Sequence, residues 1–505
     1  MEEKQSYSKS FFYFLKEQVF DILSLLRKEI FPPFQDSFRS VYSNVWLSFA
    51  LIIGFGIRSY YLSQPMRYDE SVTFLEFVNG NLQSLFYYPY PNNHVLHTLF
   101  VKFVTLVLGA NPISIRLTAF LAGIGCIPLI FSLCRQQKQS GIFAALAISV
   151  FPYLVFYSTN ARGYTLLVLL TLLLTSVGPQ AVKTPSNAGA ILISLIASLG
   201  ILTMPSMLYP IAGLYFWLVI SLLIHKRDFK IIFYKFIIPC GLFTGIFSLI
   251  LYTPVMIASH GIETIINNSY LKPQEWSEFL RQLDPHIKST LSDIFRDIPG
   301  FLIFYFTILV LIGIFNYIKK RDLSSLLLLP SMLLGSAIVL FLQHQIPFER
   351  TWIFIIPFII LVADAGFTLI IEYLSPRMNR YLMLVTFLAA MIFTRSLISS
   401  NTIARYPDTG IFSEAPIAAK FLKSKITKKQ PKFVFESKTP ATEPILFYLW
   451  YYGVPIEFAD NNSLHSNTIY IVEKSHYSLK DMTDKPVIKI FTIDDMEVYQ
   501  GEGTE

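Results

Sequence analysis

Apolar stretches of membrane-spanning length, separated by short charged clusters, constrain this chain more than any other feature. A helix needs roughly 17–25 mostly apolar residues to cross a bilayer. Candidate spans fall near 45–63, 113–134, 140–158, 163–182, 187–203, 205–224, 231–257, 298–318, 323–342, 350–373 and 380–399, about eleven in all. Of the 505 residues, 53% are hydrophobic and only 15% are charged, against about 25% charged in an ordinary soluble domain. A soluble globule of this length cannot hide that much apolar surface. The pattern excludes a soluble enzyme, a disordered chain and a disulfide scaffold. It gives an all-α polytopic membrane domain whose solvent is the lipid bilayer. Cys126, Cys134 and Cys240 all lie inside apolar runs and read as buried thiols.

The net charge is +7. In a soluble protein that excess would raise nucleic acid as a partner. Here the basic residues sit in short loops, where they set orientation, and no nucleic-acid partner is expected. The segment His94–Gly109 decides the topology. It is apolar but short, and it carries His94, His97 and Lys102. Read as a span, it flips every later loop. Read as an in-plane juxtamembrane helix, it puts Arg135/Lys138, Lys183, Lys226/Arg227/Lys230, Lys319/Lys320/Arg321 and Arg377/Arg380 on the same side as the N-terminus. The positive-inside rule makes that side cytoplasmic.

Three regions follow. Residues 1–44 show no cleavable signal pattern. Phe12, Leu15, Val19, Ile22, Leu23 and Leu26 recur there at helical spacing, as in an amphipathic helix on the membrane surface or one packed on the membrane domain. Residues 45–400 form the spanning domain, with outward loops 64–111, 157–163, 259–297 and 343–350. From 401 to 505 charges and prolines return and the apolar runs shorten to strand length. Glu414–Lys425 and Ile445–Tyr452 read as helices, and Lys432–Glu436, Thr468–Glu473 and Val487–Thr492 as strands, giving a small extracytoplasmic α/β domain.

The candidate chemistry gathers in the outward loops. Asp69-Glu70 follows the first span directly. One of the two can act as a general base towards an acceptor hydroxyl; alternatively the pair complements the dipole of a helix over Ser71–Val78. The same loop holds Tyr87-Tyr88-Pro89-Tyr90-Pro91-Asn92-Asn93-His94, with His97 three residues on. Tyrosine, asparagine and histidine are side chains that stack on a sugar or hydrogen-bond it. No third ligand lies at metal-binding spacing from the two histidines, so no metal is expected.

With these residues the chain resembles the GT-C class of polyprenyl-phosphate-sugar-dependent glycosyltransferases, and within it the protein O-mannosyltransferase and lipid A aminoarabinose transferase group. Four stretches carry the resemblance: Asp69-Glu70 after the first span; Pro91–Leu99 (PNNHVLHTL); Leu108–Ala119 (LGANPISIRLTA), at the entry to the second span; and Tyr157–Tyr164 (YSTNARGY). It covers about the first 180 residues in detail and the rest in topology.

The resemblance implies a donor sugar on a polyprenyl phosphate, moved singly to a glycan, lipid or protein acceptor at the outer face of a bacterial plasma membrane, with inversion. No further cofactor is required, since the leaving phosphomonoester is already charged and stable. Asp69 is then the catalytic base, and Glu70 binds or orients acceptor or donor. Arg162 is a candidate phosphate contact, being a forked cation, or else it snorkels from a span end. Arg350 stands where family members carry an arginine near the lipid phosphate, although it can pair with Glu349 instead. His94, His97, Lys102, Arg116 and Tyr164 complete the substrate-binding set. Asp364, an isolated acid inside a span, falls in the cytoplasmic half of this topology and is left out. Metal-dependent members carry acids in the second outward loop, and Tyr157–Tyr164 has none. A transporter or flippase of lipid-linked sugars is the alternative. Inverted repeats and midplane charges would mark it, and no internal repeat is visible. A non-enzymatic scaffold with an outward domain leaves Asp69-Glu70 without a purpose.

Overall fold

The computed structural model describes residue 24 and residues 44–224, 229–261, 272–425, 434–436, 442–454, 468–473, 487–493 and 496–501. The amphipathic N-terminal helix expected over residues 12–26 lies outside the described residues, apart from Ser24, which is helical. Among the described residues, eight helices are long and apolar enough to cross a membrane: Val45–Leu62, Pro112–Gln136, Pro205–Ile224, Phe233–Ala258, Gly300–Lys320, Leu323–Gln343, Glu349–Tyr373 and Pro376–Ser399. Two further expected spans are the helices Tyr164–Lys183 and Asn187–Thr203. The protein is therefore a multi-pass membrane protein. Val95–Leu108 is a helix of 14 residues, about 21 Å long and too short to cross a hydrocarbon core of about 30 Å. It buries Val95, His97, Thr98 and Val101, while Phe100, Phe103, Leu106, Val107 and Leu108 stay exposed, the pattern of a helix with one face in lipid.

The expected span 140–158 departs from the reading. It is two helices, Ile142–Val150 and Pro152–Ser158, broken at Phe151. Proline has no N–H, so Pro152 cannot bond the carbonyl of Ile148, and the break also frees that of Ser149. Neither carbonyl is left bare. The buried guanidinium of Arg58 donates to Ser149 O (2.7 Å) and Ile148 O (3.1 Å), and to Gly54 O of its own helix (3.1 Å). The carbonyls freed by the break thus find their donors in the terminal nitrogens of a buried arginine, as hydrocarbon requires of backbone polar groups.

Asp364 plays a comparable part. Its carboxylate accepts from Gly141 N–H (2.8 Å) and Ala144 N–H (3.1 Å), capping the helix Ile142–Val150 from a neighbouring span. The spans themselves pack through small residues. Gly313 and Gly366 face each other so closely that a Cβ on either would lie 2.0 Å from a carbonyl oxygen of the partner helix.

After Ser399 the chain makes a 3-10 turn, Ile403–Arg405, and then the helix Ala415–Lys425. A four-stranded sheet follows: β1 Val434–Glu436, β2 Thr468–Glu473, β3 Val487–Ile493 and β4 Met496–Gly501, in the order β1-β2-β4-β3. β1 and β2 are parallel, with Val434 opposite Thr468, and the other pairs are antiparallel. The helix Thr442–Tyr451 separates β1 from β2. This small α/β domain has the expected helices and strands plus β4, which the sequence reading did not include. Its two helices share a core with the first loop: Phe412, Ala415, Ala419, Leu422, Ile445 and Phe447 pack with Met66, Phe74 and Val78. The loop after the first span is therefore clamped between the spans and the C-terminal domain.

Candidate active site

Asp69 and Glu70 lie in the first turn of a short helix, Tyr68–Val72, which runs into a π-helical turn, Thr73–Val78. Adjacent helical positions point about 100° apart, so the two carboxylates part company. Glu70 turns inward and is fully buried. Arg116 holds it bidentately, Nε to Oε1 at 2.7 Å and Nη2 to Oε2 at 2.6 Å. The N–H groups of Ala161 (2.6 Å) and Arg67 (3.0 Å) also donate to it. Burial alone would raise this carboxyl; Arg116 and the backbone donors hold it below the ordinary value instead. Arg116 spends its remaining donors on the carbonyls of Leu62, Gln64 and Pro65. Glu70 and Arg116 thus fasten the first loop to the second span, and Glu70 also accepts from the N-cap N–H of Arg67, closing the start of the helix Tyr68–Val72.

Asp69 turns the other way, into a cavity of about 480 Å³. His94, Arg162, Tyr164 and Arg350 line the same cavity, with Tyr88, Tyr90, Asn92, Gln343 and Gln345. Arg162 Nη2 and Arg350 Nη2 each lie 3.7 Å from Asp69 Oδ2. That oxygen has no hydrogen-bond partner. Two forked cations therefore face one carboxylate across a gap, near enough for charge attraction but short of contact.

Arg162 is buried and oriented by Thr73 Oγ1 (2.9 Å) and the carbonyl of Asn92 (2.7 Å). It does not snorkel. His94 caps the helix Val95–Leu108, and its Nδ1 accepts from Gly163 N–H at 2.7 Å. Burial, reinforced by the charges of Arg162 and His97, pushes its pKa well below the usual histidine value, so the ring is neutral. With Nδ1 accepting, the proton sits on Nε2. That N–H lies 3.4 Å from Arg162 Nη2, donor against donor. The pair calls for an acceptor between them, which is the demand an anion meets.

Of the nine residues expected at the site, Asp69, His94, Arg162, Tyr164 and Arg350 line the cavity, and Glu70, His97, Lys102 and Arg116 do not. His97 is buried behind it with no partner on either ring nitrogen, and burial drives it down to about 3. Lys102 donates to the carbonyls of Val78 (2.7 Å) and Gly80 (3.1 Å), closing the π-helical turn. Arg350 does not bind the neighbouring Glu349, whose carboxylate accepts from Ser289 Oγ at 3.0 Å.

Sequence reasoning missed Asp408. Its Oδ1 lies 2.7 Å from Arg350 Nη1, and Tyr157 donates its hydroxyl to Oδ2. The only sequence signal was the turn-forming string Pro407-Asp408-Thr409-Gly410, directly after the last span. Arg67 was missed as well. Its guanidinium donates to the carbonyls of Ile403, Ala404, Tyr406 and Asp408, pinning that string over the site.

Solved structures share this architecture. ArnT from Cupriavidus metallidurans in the apo state aligns with a TM-score of 0.56 at 12% identity, covering 92% of this chain and 98% of that one. The same protein bound to undecaprenyl phosphate aligns at 0.58 and 12%, covering 91% and 98%. The chain has the GT-C fold. Residues 92–257 also match the sequence model of the family described as dolichyl-phosphate-mannose-protein mannosyltransferase. No curated protein matches the chain significantly.

Proposed function

We propose that this GT-C protein is a membrane glycosyltransferase, which moves a single sugar from a polyprenyl phosphate to an acceptor hydroxyl at the outer face of the plasma membrane. The observation that carries the reading is the Asp69 carboxylate set between Arg162 and Arg350, each at 3.7 Å, inside one cavity. Glycosyl transfer from a phosphate needs a base on one side of the anomeric carbon and cations for the departing phosphate on the other. Asp69 is the base. Arg162, Arg350 and the Nε2–H of His94 receive the phosphate oxygens. In-line displacement with inversion then requires both arginines, now 3.7 Å from Asp69 Oδ2, to draw away from the carboxylate onto the phosphate as it binds.

Tyr88, Tyr90 and Asn92 supply stacking faces and hydrogen bonds for the sugar. The phosphate leaves as a stable anion, so the step needs neither a nucleotide nor a resident metal. The likeness to ArnT bound to undecaprenyl phosphate supports a polyprenyl carrier. The partner set is then the lipid-linked sugar, the bilayer and a glycan, lipid or protein acceptor.

Mass spectrometry of lipid-linked sugars and surface glycans, in cells with and without the gene, tests this directly. Loss of the gene should leave a polyprenyl-phosphate sugar accumulating and one glycan missing. Unchanged profiles of both would refute the proposal.

A further inference from the structure

We infer that Asp408 is a positioning residue of this site: it keeps the Arg350 guanidinium off Asp69 and turned towards the ligand. The inference rests on the transfer reading above and adds a residue to it. Arg350 is held from three sides. The Phe348 ring lies 4.5 Å from its guanidinium carbon, the Tyr164 ring 5.7 Å, and Asp408 Oδ1 2.7 Å from its Nη1. Its Nη2 then stands 3.7 Å from Asp69 Oδ2. A charge-assisted hydrogen bond closes to about 2.7–2.9 Å, so a shift of roughly 1 Å would join Arg350 to Asp69. That contact would occupy the base and withdraw the cation at the same time. Asp408 is the anion that prevents it.

Asp408 is itself held firmly. Thr409 N–H donates to its Oδ1 at 2.8 Å, and the Tyr157 hydroxyl donates to Oδ2. The backbone of this strap does not depend on the Asp408 carboxylate. Arg67 binds four of its carbonyls, and the N–H groups of Tyr68 and Asp69 donate to Gly410 O (3.1 Å) and Thr409 O (3.2 Å). Thr409 has φ +67°, a rare and costly conformation for a β-branched residue. Asn160 fixes its hydroxyl at 2.8 Å. Gly410 (φ +71°) lies so close to Tyr68 that a Cβ there would come within 2.6 Å of the tyrosine Cβ. Strain of this kind is retained where the surroundings fix it, and here it aims one carboxylate at one arginine.

The test is binding of undecaprenyl phosphate to detergent-purified wild type, Asp408→Asn, Asp69→Asn and the double variant. Asp408→Asn should bind about tenfold more weakly, because Arg350 collapses onto Asp69. Asp69→Asn removes the competing anion, so the double variant should bind within about twofold of Asp69→Asn alone, a non-additivity that marks coupled sites. Trypsin cleavage after Arg405 should be unchanged in Asp408→Asn, because Arg67 still holds the strap. Wild-type affinity in Asp408→Asn overturns the inference. So does a double variant as weak as Asp408→Asn, or new cleavage after Arg405, which would give Asp408 a merely structural role. Wild type that fails to bind undecaprenyl phosphate overturns the transfer reading itself, and the inference falls with it.

Discussion

Two neighbouring carboxylates have opposite fates in this protein. Glu70 is buried in a bidentate pair with Arg116, and removing one member of such a pair leaves the other charge stranded. Glu70→Gln should cost about 3–5 kcal/mol, read as a lower melting temperature. Asp69→Asn, at the cavity, should melt like wild type. The buried histidines set a pH dependence of the same sign as Glu70. His97 is lowered from 6.5 to about 3, and His94 is lowered too. The unfolded chain therefore binds protons that the folded one refuses. Their contribution is complete above pH 6.5 and is lost as pH falls towards about 3. Glu70, also depressed, contributes above its ordinary value of 4.5 and loses that below its folded value. The melting temperature should rise from pH 4 to 6.5 and level off above, and His97→Phe should flatten the upper part of that slope. The pair Asp69-Glu70 was legible in the sequence as a candidate. Which of the two faces the cavity was not, because the arginines that decide it arrive from distant helices.

At the scale of elements, the spans were legible because hydrocarbon imposes one simple rule, a long apolar run. The broken span 140–158 obeyed that rule and concealed its break. Pro152 was the local signal, but the compensating donor, Arg58, belongs to another helix. Arg58→Met should lower the melting temperature markedly by leaving the carbonyls of Ile148 and Ser149 without a donor. A proline-free Pro152→Ala background should recover part of the loss, since the backbone can then bond Ile148 itself. The strap 403–410 was illegible for a different reason. It has no periodicity, and its place over the site is set by backbone hydrogen bonds to Arg67, which composition does not reveal.

For the whole molecule, the charge asymmetry between loops sets an expected orientation. It predicts that Arg281→Cys, in the amphipathic helix Trp276–Ile294, reacts with a membrane-impermeant maleimide in intact cells. Lys320→Cys should react only after permeabilisation. Both side chains are exposed, whereas the native cysteines are buried and give little background. The first loop, the second outward loop and the start of the Glu349–Tyr373 span meet at one cavity, and the strap after the last span touches Arg350 there through Asp408. In the proposed transfer, the spans hold a lipid carrier's tail beside this charged site.

The central claim is that Asp69 is the base for transfer from a polyprenyl phosphate. Release of polyprenyl phosphate from the lipid-linked sugar pool, by purified wild type and Asp69→Asn in the presence of acceptor membranes, tests it most directly. Loss of a general base should slow release about 10²–10⁴-fold, while Asp69→Asn keeps its melting temperature and its affinity for undecaprenyl phosphate. Release by Asp69→Asn at a rate close to wild type would contradict the account.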